Sequence, residues 1–169
     1  HLTDHILPRE DRDAAAIVQD AFIRDGIELF LPAKILRVSA RKGGKVIRFE
    51  YRGSEREIEA DEILVAVGRA PNVEGLGLEA AGIAYDARTG VQVDELLRTT
   101  NHRVYAAGDI CFPYRFTHTA DALARILIAN ALFLGRRKTS ALTIPWCTYT
   151  DPEVAHVGLY ERDARERGI

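Results

Sequence analysis

With 169 residues, 47% of them apolar and 28% charged, the chain has the composition of a globular protein rather than a disordered one. A formal net charge of −2 supplies no basic field for nucleic acid, and no apolar run approaches the roughly 20 residues that cross a bilayer. Cys111 and Cys147 lie outside any CxxC-type spacing, so no metal site or redox pair is signalled; both are read as free thiols of a reducing, cytoplasmic compartment.

In chain order, residues 1–10 read as a loop. "DRDAAAIVQDAFIRDG" follows with Ala14, Ile17, Val18, Ala21 and Phe22 on one helical face, acids Asp11 and Asp13 at its start and Gly26 at its end. "IELFL" is expected to be a strand. A three-stranded meander comes next: "AKILRVSA", a turn at "RKGGK", "VIRFEYR", a turn at "GSE", and "REIEA", with Gly43-Gly44 permitting the positive φ of a tight hairpin. "ILVAV" (63–67) is apolar on both faces, the pattern of a strand covered on two sides. "VEGLGLEAAGI" reads as a short helical turn, "VQVDELLRTT" as a brief extended piece and "VYAA" (104–107) as a buried strand. A helix is expected from about 120 to 133, with Leu123, Leu127 and Ala131 on one face beside Ala124 and Ile128. The tail, "PWCTYTDPEVAHVG", reads as two extended pieces bent at Asp151-Pro152. The chain opens on His1, holds no methionine and ends as a helix begins, which reads as an excerpt of a longer protein.

Two stretches invite a chemical reading. "GLGLEAAG" has the spacing GxGxxxxG and no buried strand feeds it, so it is read as a structural loop and not a dinucleotide fingerprint. "VYAAGDI" followed by "FTHTADALARIL" carries more. Gly108 would let a ligand approach the backbone, Asp109 would accept hydrogen bonds from a polyhydroxyl chain, and the nearby helix start would offer free N–H groups to an anionic or electron-rich group. The alternative is that Asp109 caps its own loop, and the residues alone leave both readings open.

"ILVAVGRAPNVEGLGLEAAGI", "TTNHRVYAAGDI" and "PWCTYTDPEVAHVGL" together resemble, in order, successive signatures of the class I pyridine nucleotide-disulfide oxidoreductases. That family includes dihydrolipoamide dehydrogenase, glutathione reductase and mercuric reductase, and "FTHTADALARILIANALF" is most similar to the mercuric-reductase-like branch. The resemblance implies an α/β fold. It would hold pieces of Rossmann-like FAD- and NAD(P)-binding domains with a three-stranded meander, plus the start of an α+β dimerisation domain. Residues 1–64 would be the later part of the NAD(P)-binding domain, 65–138 the last segment of the FAD-binding domain, and 139–169 the start of the interface domain that builds a homodimer.

Site residues follow by the same resemblance. Asp109 would hold a ribityl hydroxyl of FAD with Gly108 clearing space. Phe116, Thr117 and His118 match the stretch whose backbone approaches the flavin, and Ala120 lies at the following helix start. Gly68 and Ile35 match contacts to NAD or NADP, with Arg69 facing either the nucleotide or solvent, and Ile35 equally a core strand residue. No metal ligand and no catalytic residue is expected within these residues. The two GxGxxG loops, a CxxxxC dithiol and a His-Glu acid/base pair would lie outside them, and Cys111 and Cys147 are read as packing. Tyr160 stands where the family often has a Ser or Thr helix cap.

The implied activity is electron transfer from NAD(P)H through FAD to a disulfide, dithiol or metal-ion substrate, with the excerpt by itself inactive and with neither nucleic acid nor membrane as partner. Two alternatives remain: association as the only activity of this piece, and an NADH oxidase or peroxidase of the same fold.

Overall fold

The computed structural model describes residues 3–169. They form a mixed α/β structure that divides into two compact units, residues 3–66 with 147–169, and residues 67–146.

In the first unit, helix α1 (Arg12–Arg24) ends as a glycine stop should. Gly26 adopts φ 83°, its N–H bonds to Ile23 O at 3.1 Å, and Ile27 N–H reaches back to Phe22 O at 2.9 Å. Its buried strip is Ala15, Val18 and Ala21, while Ile17 is 61% exposed. Of the expected face, Val18 and Ala21 are buried and Ala14 and Phe22 half-buried; Ile17 alone points to solvent, and Ala15 takes its place in the buried strip.

The meander is present in full as β1 (Ala33–Arg41), β2 (Gly44–Tyr51) and β3 (Ser54–Ala60), antiparallel in the order β1-β2-β3. The β2–β3 hairpin closes through Arg52-Gly53, both at positive φ (53° and 76°), the twist-matched two-residue turn. Arg48 and Glu57 face each other across β2 and β3, with Nη2 to Oε1 at 2.9 Å. Phe30 packs edge-on against Phe49 and Tyr51, at centroid distances of 4.9 and 5.3 Å. The segment "IELFL" containing it forms no strand, contrary to expectation. The bent tail is borne out: β6 (Trp146–Thr148) pairs with β7 (Val154–His156) around Asp151-Pro152, and helix α3 (Glu161–Glu166) follows.

The second unit has two hydrophobic clusters. One is built on Val73, Leu78, Ile83 and Val91, the other on Leu97, Leu123 and Ile126. A short hairpin, β4 (Tyr85–Asp86) with β5 (Gly90–Val91), is folded by Asp86, whose Oδ1 accepts the N–H groups of Arg88 (2.8 Å) and Thr89 (2.9 Å). Helix α2 (Thr117–Leu132) starts three residues earlier than expected and buries Thr119, Leu123, Ile126 and Asn130. Ile128, placed on the buried face by sequence, is 48% exposed.

"ILVAV" also departs from expectation. It belongs to no sheet, and Leu64 is 92% exposed. A strand apolar on both faces needs flanking strands and covering helices, and the described residues supply neither. "VYAA" keeps one antiparallel bridge, Arg98 to Tyr105, yet its side chains still alternate: Val104 and Ala106 pack on the first cluster, Tyr105 and Ala107 on the second. The two-faced burial of a strand survives where most of the ladder does not. Among the described residues no helix is long and apolar enough to cross a membrane.

Candidate functional site

The site is built where residues 104–107 leave the space between the two clusters. The chain turns at buried Gly108, whose φ of 84° a side chain would strain. Gly108 O accepts two N–H groups, from Cys111 and Phe112, each at 3.1 Å. Ile110 O is pinned by Val91 N–H of β5 at 2.8 Å. Asp109 is therefore held at the tip of a loop fixed on its following side by backbone bonds. A Cβ added to Gly108 would stand 3.5 Å from Ala120 Cβ, so the loop lies against the first turn of α2.

That turn is uncapped. The residue before it is Phe116, which makes no side-chain cap, and the first helical backbone bond runs from Ala120 N to Phe116 O at 3.0 Å. The N–H groups of Thr117, His118 and Thr119 thus have no protein acceptor among the described residues, and they stand at the positive end of the helix dipole. The Thr119 hydroxyl beside them is buried and unpartnered.

Asp109 is not the buried carboxylate that its place after an apolar run suggests. Its side chain is 47% exposed, and Oδ2 accepts from Arg69 Nη1 at 3.2 Å. Arg69 Nη1 also donates to Arg115 O at 3.1 Å, while the Arg115 guanidinium donates in return to Arg69 O. Gly68, at φ 116°, has open space where a side chain would be. The His118 ring accompanies a row of stacked rings: Phe116 on His118 at 5.4 Å, and Trp146 on Tyr114 at 5.8 Å and on Phe116 at 6.4 Å. His118 Nε2 lies 2.8 Å from Pro145 O, so that nitrogen carries a proton.

The structure thus brings Gly108, Asp109, Ala120 and Arg69 together, with Phe116, Thr117 and His118 at the adjoining helix start. Ile35 lies in the other unit, on β1, 57% exposed, beside a register shift between Ile35 and Arg37. Sequence reasoning missed Arg115, Tyr114 and Trp146. The sole tryptophan, following a proline, was a signal for the last; nothing in "PYRF" marks Arg115. Among the described residues no cluster of His, Cys, Asp and Glu could hold a metal ion. Burial pushes the Cys111 thiol up to about 11, away from a reactive thiolate.

The family model for pyridine nucleotide-disulphide oxidoreductases matches residues 1–125. The chain is 34% identical over 166 residues to a mercuric reductase of Staphylococcus aureus, covering 98% of this chain and 30% of that protein. It is 38% identical over 165 residues to a dihydrolipoyl dehydrogenase of Thermus scotoductus, covering 96% and 35%. Among solved structures, LpdA of Mycobacterium tuberculosis superposes with a TM-score of 0.88 at 30% identity, covering 99% of this chain and 36% of that one. The HOCl-induced flavoprotein disulfide reductase RclA of Escherichia coli superposes with a TM-score of 0.85 at 30% identity, covering 98% and 38%. The chain spans about a third of the length of the curated relatives it matches. On a family match that takes in the meander, the Gly108-Asp109 loop and the start of α2, this chain belongs to the pyridine nucleotide-disulphide oxidoreductase family.

Proposed function

We propose that the protein is a flavin-dependent oxidoreductase that passes electrons from NAD(P)H through FAD to a disulfide, a dithiol or a metal ion such as Hg(II). The observation that carries this reading is the Gly108-Asp109 loop set against the open N-terminus of α2, so close that a Cβ on Gly108 would stand 3.5 Å from Ala120 Cβ. A buried glycine, a half-exposed carboxylate and three unpaired N–H groups are what a polyol chain attached to an electron-rich ring requires.

FAD would supply a two-electron relay between nicotinamide and acceptor. Asp109 would hold a ribityl hydroxyl through its unoccupied Oδ1, and Gly108 would leave room for the chain. The N–H groups of Thr117, His118 and Thr119 would face the ring edge where negative charge gathers on reduction. A helix N-terminus favours such charge by about 0.3–1 kcal/mol at exposed sites and up to ~2 kcal/mol when partly buried. His118 serves here through its backbone, since its Nε2 is already engaged by Pro145 O. For the nucleotide, Gly68 permits close approach of a ligand to the backbone, and Ile35 is a proposed backbone contact to the adenosine half.

The proposed domain assignment is NAD(P)-binding for 1–64, FAD-binding for 65–138 and interface for 139–169, with a homodimer formed through the last. Support for the first boundary is the break between compact units after Ala66. The test is the colour and redox behaviour of the full-length protein. It should purify yellow or take up FAD stoichiometrically, and the flavin band should bleach anaerobically with NADH or NADPH and return with the disulfide or Hg(II) acceptor. A colourless protein that does not retain added FAD refutes the reading.

A further inference from the structure

We propose that Arg69 and Arg115 form a reciprocal clasp that positions Asp109 to receive a flavin polyol; this rests on the flavoprotein reading above. Each arginine holds the other's backbone: Arg69 Nη1 donates to Arg115 O at 3.1 Å, and Arg115 Nη1 donates to Arg69 O. Two loops 46 residues apart are thereby closed on each other. The same Arg69 Nη1 reaches Asp109 Oδ2 at 3.2 Å. One carboxylate oxygen is thus fixed, and Oδ1 has no protein partner among the described residues. A carboxylate anchored at one oxygen presents the other in a defined direction, which is what accepting a single hydroxyl demands.

The clasp reaches both flanks of the site. Arg115 stands two residues before the first residue of α2, so its grip on Arg69 sets where the free N–H groups of that helix lie relative to Asp109. Arg115 Nη2 also lies 3.5 Å from Arg88 O, in the turn that leads into Gly90 and Val91. Val91 in turn pins Ile110. The loop 108–110 is therefore held from one side by Val91 and from the other by Arg69. Arg115 Nε is buried without an acceptor, an unfavourable placement that the rest of the guanidinium's bonding has to offset.

The Arg69–Asp109 pair itself contributes little to folding, because the two side chains are 69% and 47% exposed. Removing it should leave the fold intact and change ligand binding, which makes the role separable from a structural one. The experiment titrates FAD into the full-length apoprotein and into R69Q, D109N and the double variant, following flavin fluorescence, with thermal melting of each apoprotein as the fold control.

The clasp predicts that D109N binds FAD about tenfold more weakly, that R69Q loses about fivefold, and that the double variant is no weaker than D109N, because Arg69 acts through Asp109. Unchanged FAD binding in R69Q, or losses that multiply in the double variant, would overturn the clasp while leaving the flavin site standing. Unchanged binding in D109N would overturn the role of Asp109 as the polyol acceptor and the clasp with it, whereas failure of the unaltered protein to bind FAD would overturn the flavoprotein reading itself. Should R69Q lower the melting temperature, R69M, which keeps the apolar stem and removes the donors to Asp109 and Arg115 O, carries the comparison under the same criteria.

Discussion

Gly90 bears the tightest backbone approach near the site, and replacing it by alanine tests the whole support of the Asp109 loop. A Cβ at Gly90 would stand 2.0 Å from Ile110 O and 2.9 Å from Ile110 C, at a backbone φ of 95°. The oxygen would have to retreat by at least 1.0 Å to reach the 3.0 Å floor that real Cβ atoms respect. The Val91 N–H to Ile110 O bond, now 2.8 Å, cannot survive that retreat. A left-handed alanine costs about 1–2 kcal/mol, and an orphaned buried backbone group about 1–3 kcal/mol, so G90A should lose about 2–5 kcal/mol. G77A is the control, since Gly77 has φ 65° with nothing within 4 Å and carries the backbone term alone. Urea unfolding gives the two stabilities, and hydrogen exchange at the Val91 amide reads the broken bond directly. Because Ile110 adjoins Asp109, FAD affinity should fall with G90A and not with G77A. A G90A protein as stable as G77A, with the Val91 amide still protected, would refute the reasoning.

Asn130 sits 8% exposed on α2 and makes three bonds, donating to Leu96 O (3.3 Å) and Arg137 O (2.8 Å) and accepting from Arg137 N–H (2.9 Å). N130A should cost about 2–4 kcal/mol in urea unfolding, against less than ~0.5 kcal/mol for R125A on the exposed face of the same helix. Cys111, its thiol pushed up to about 11 by burial, should resist thiol reagents at pH 8, where only roughly a thousandth of it is thiolate. Complete labelling of the folded protein within minutes would contradict that. The Asp86 carboxyl is held below its ordinary 3.8, first by the Thr89 and then by the Arg88 backbone N–H. Its contribution to the β4–β5 turn is therefore complete above 3.8 and fades as the pH falls through the lower folded value. The Arg88 and Thr89 amide resonances should report that step, and D86N should abolish it.

What was legible in the sequence was what local pattern encodes. The meander followed from three strand-like segments separated by Gly-containing turns. The end of α1 followed from Gly26, and the family motifs picked out the loop 108–109 and the start of α2. Long-range burial was less legible. Ile17 and Ile128 looked like core residues and are exposed, because apolar identity does not say which strip of a helix is met by a neighbour. Asn130 looked polar and is buried, because it satisfies two backbone segments that no local pattern reveals. Tyr160 was noted as an odd helix cap. It makes no cap bond, and its hydroxyl instead donates to buried Glu10 at 2.9 Å, 150 residues away in sequence. Arg115 was invisible for the same reason, since its partners at 69 and 88 are backbone oxygens, which leave no trace in residue identity.

The two ends of α2 are treated oppositely, and that asymmetry fits a ligand site better than a purely structural helix. At the C-terminus, Asn130 ties the helix to Leu96 and Arg137, and Gly135 N–H returns to Ala129 O at 2.9 Å. A Cβ at Gly135 would lie 2.7 Å from that same oxygen, so the closure itself demands glycine. At the N-terminus there is Phe116 where Ser, Thr, Asp or Asn would be worth about 1 kcal/mol. A helix held for stability alone gains by capping both ends. Here one end is anchored by side chain and backbone, while the other is left open beside a glycine, a half-exposed carboxylate and a pair of clasped arginines. On the proposed flavin reading, the forgone cap is the stability given up to keep three N–H groups available for a ligand's charge.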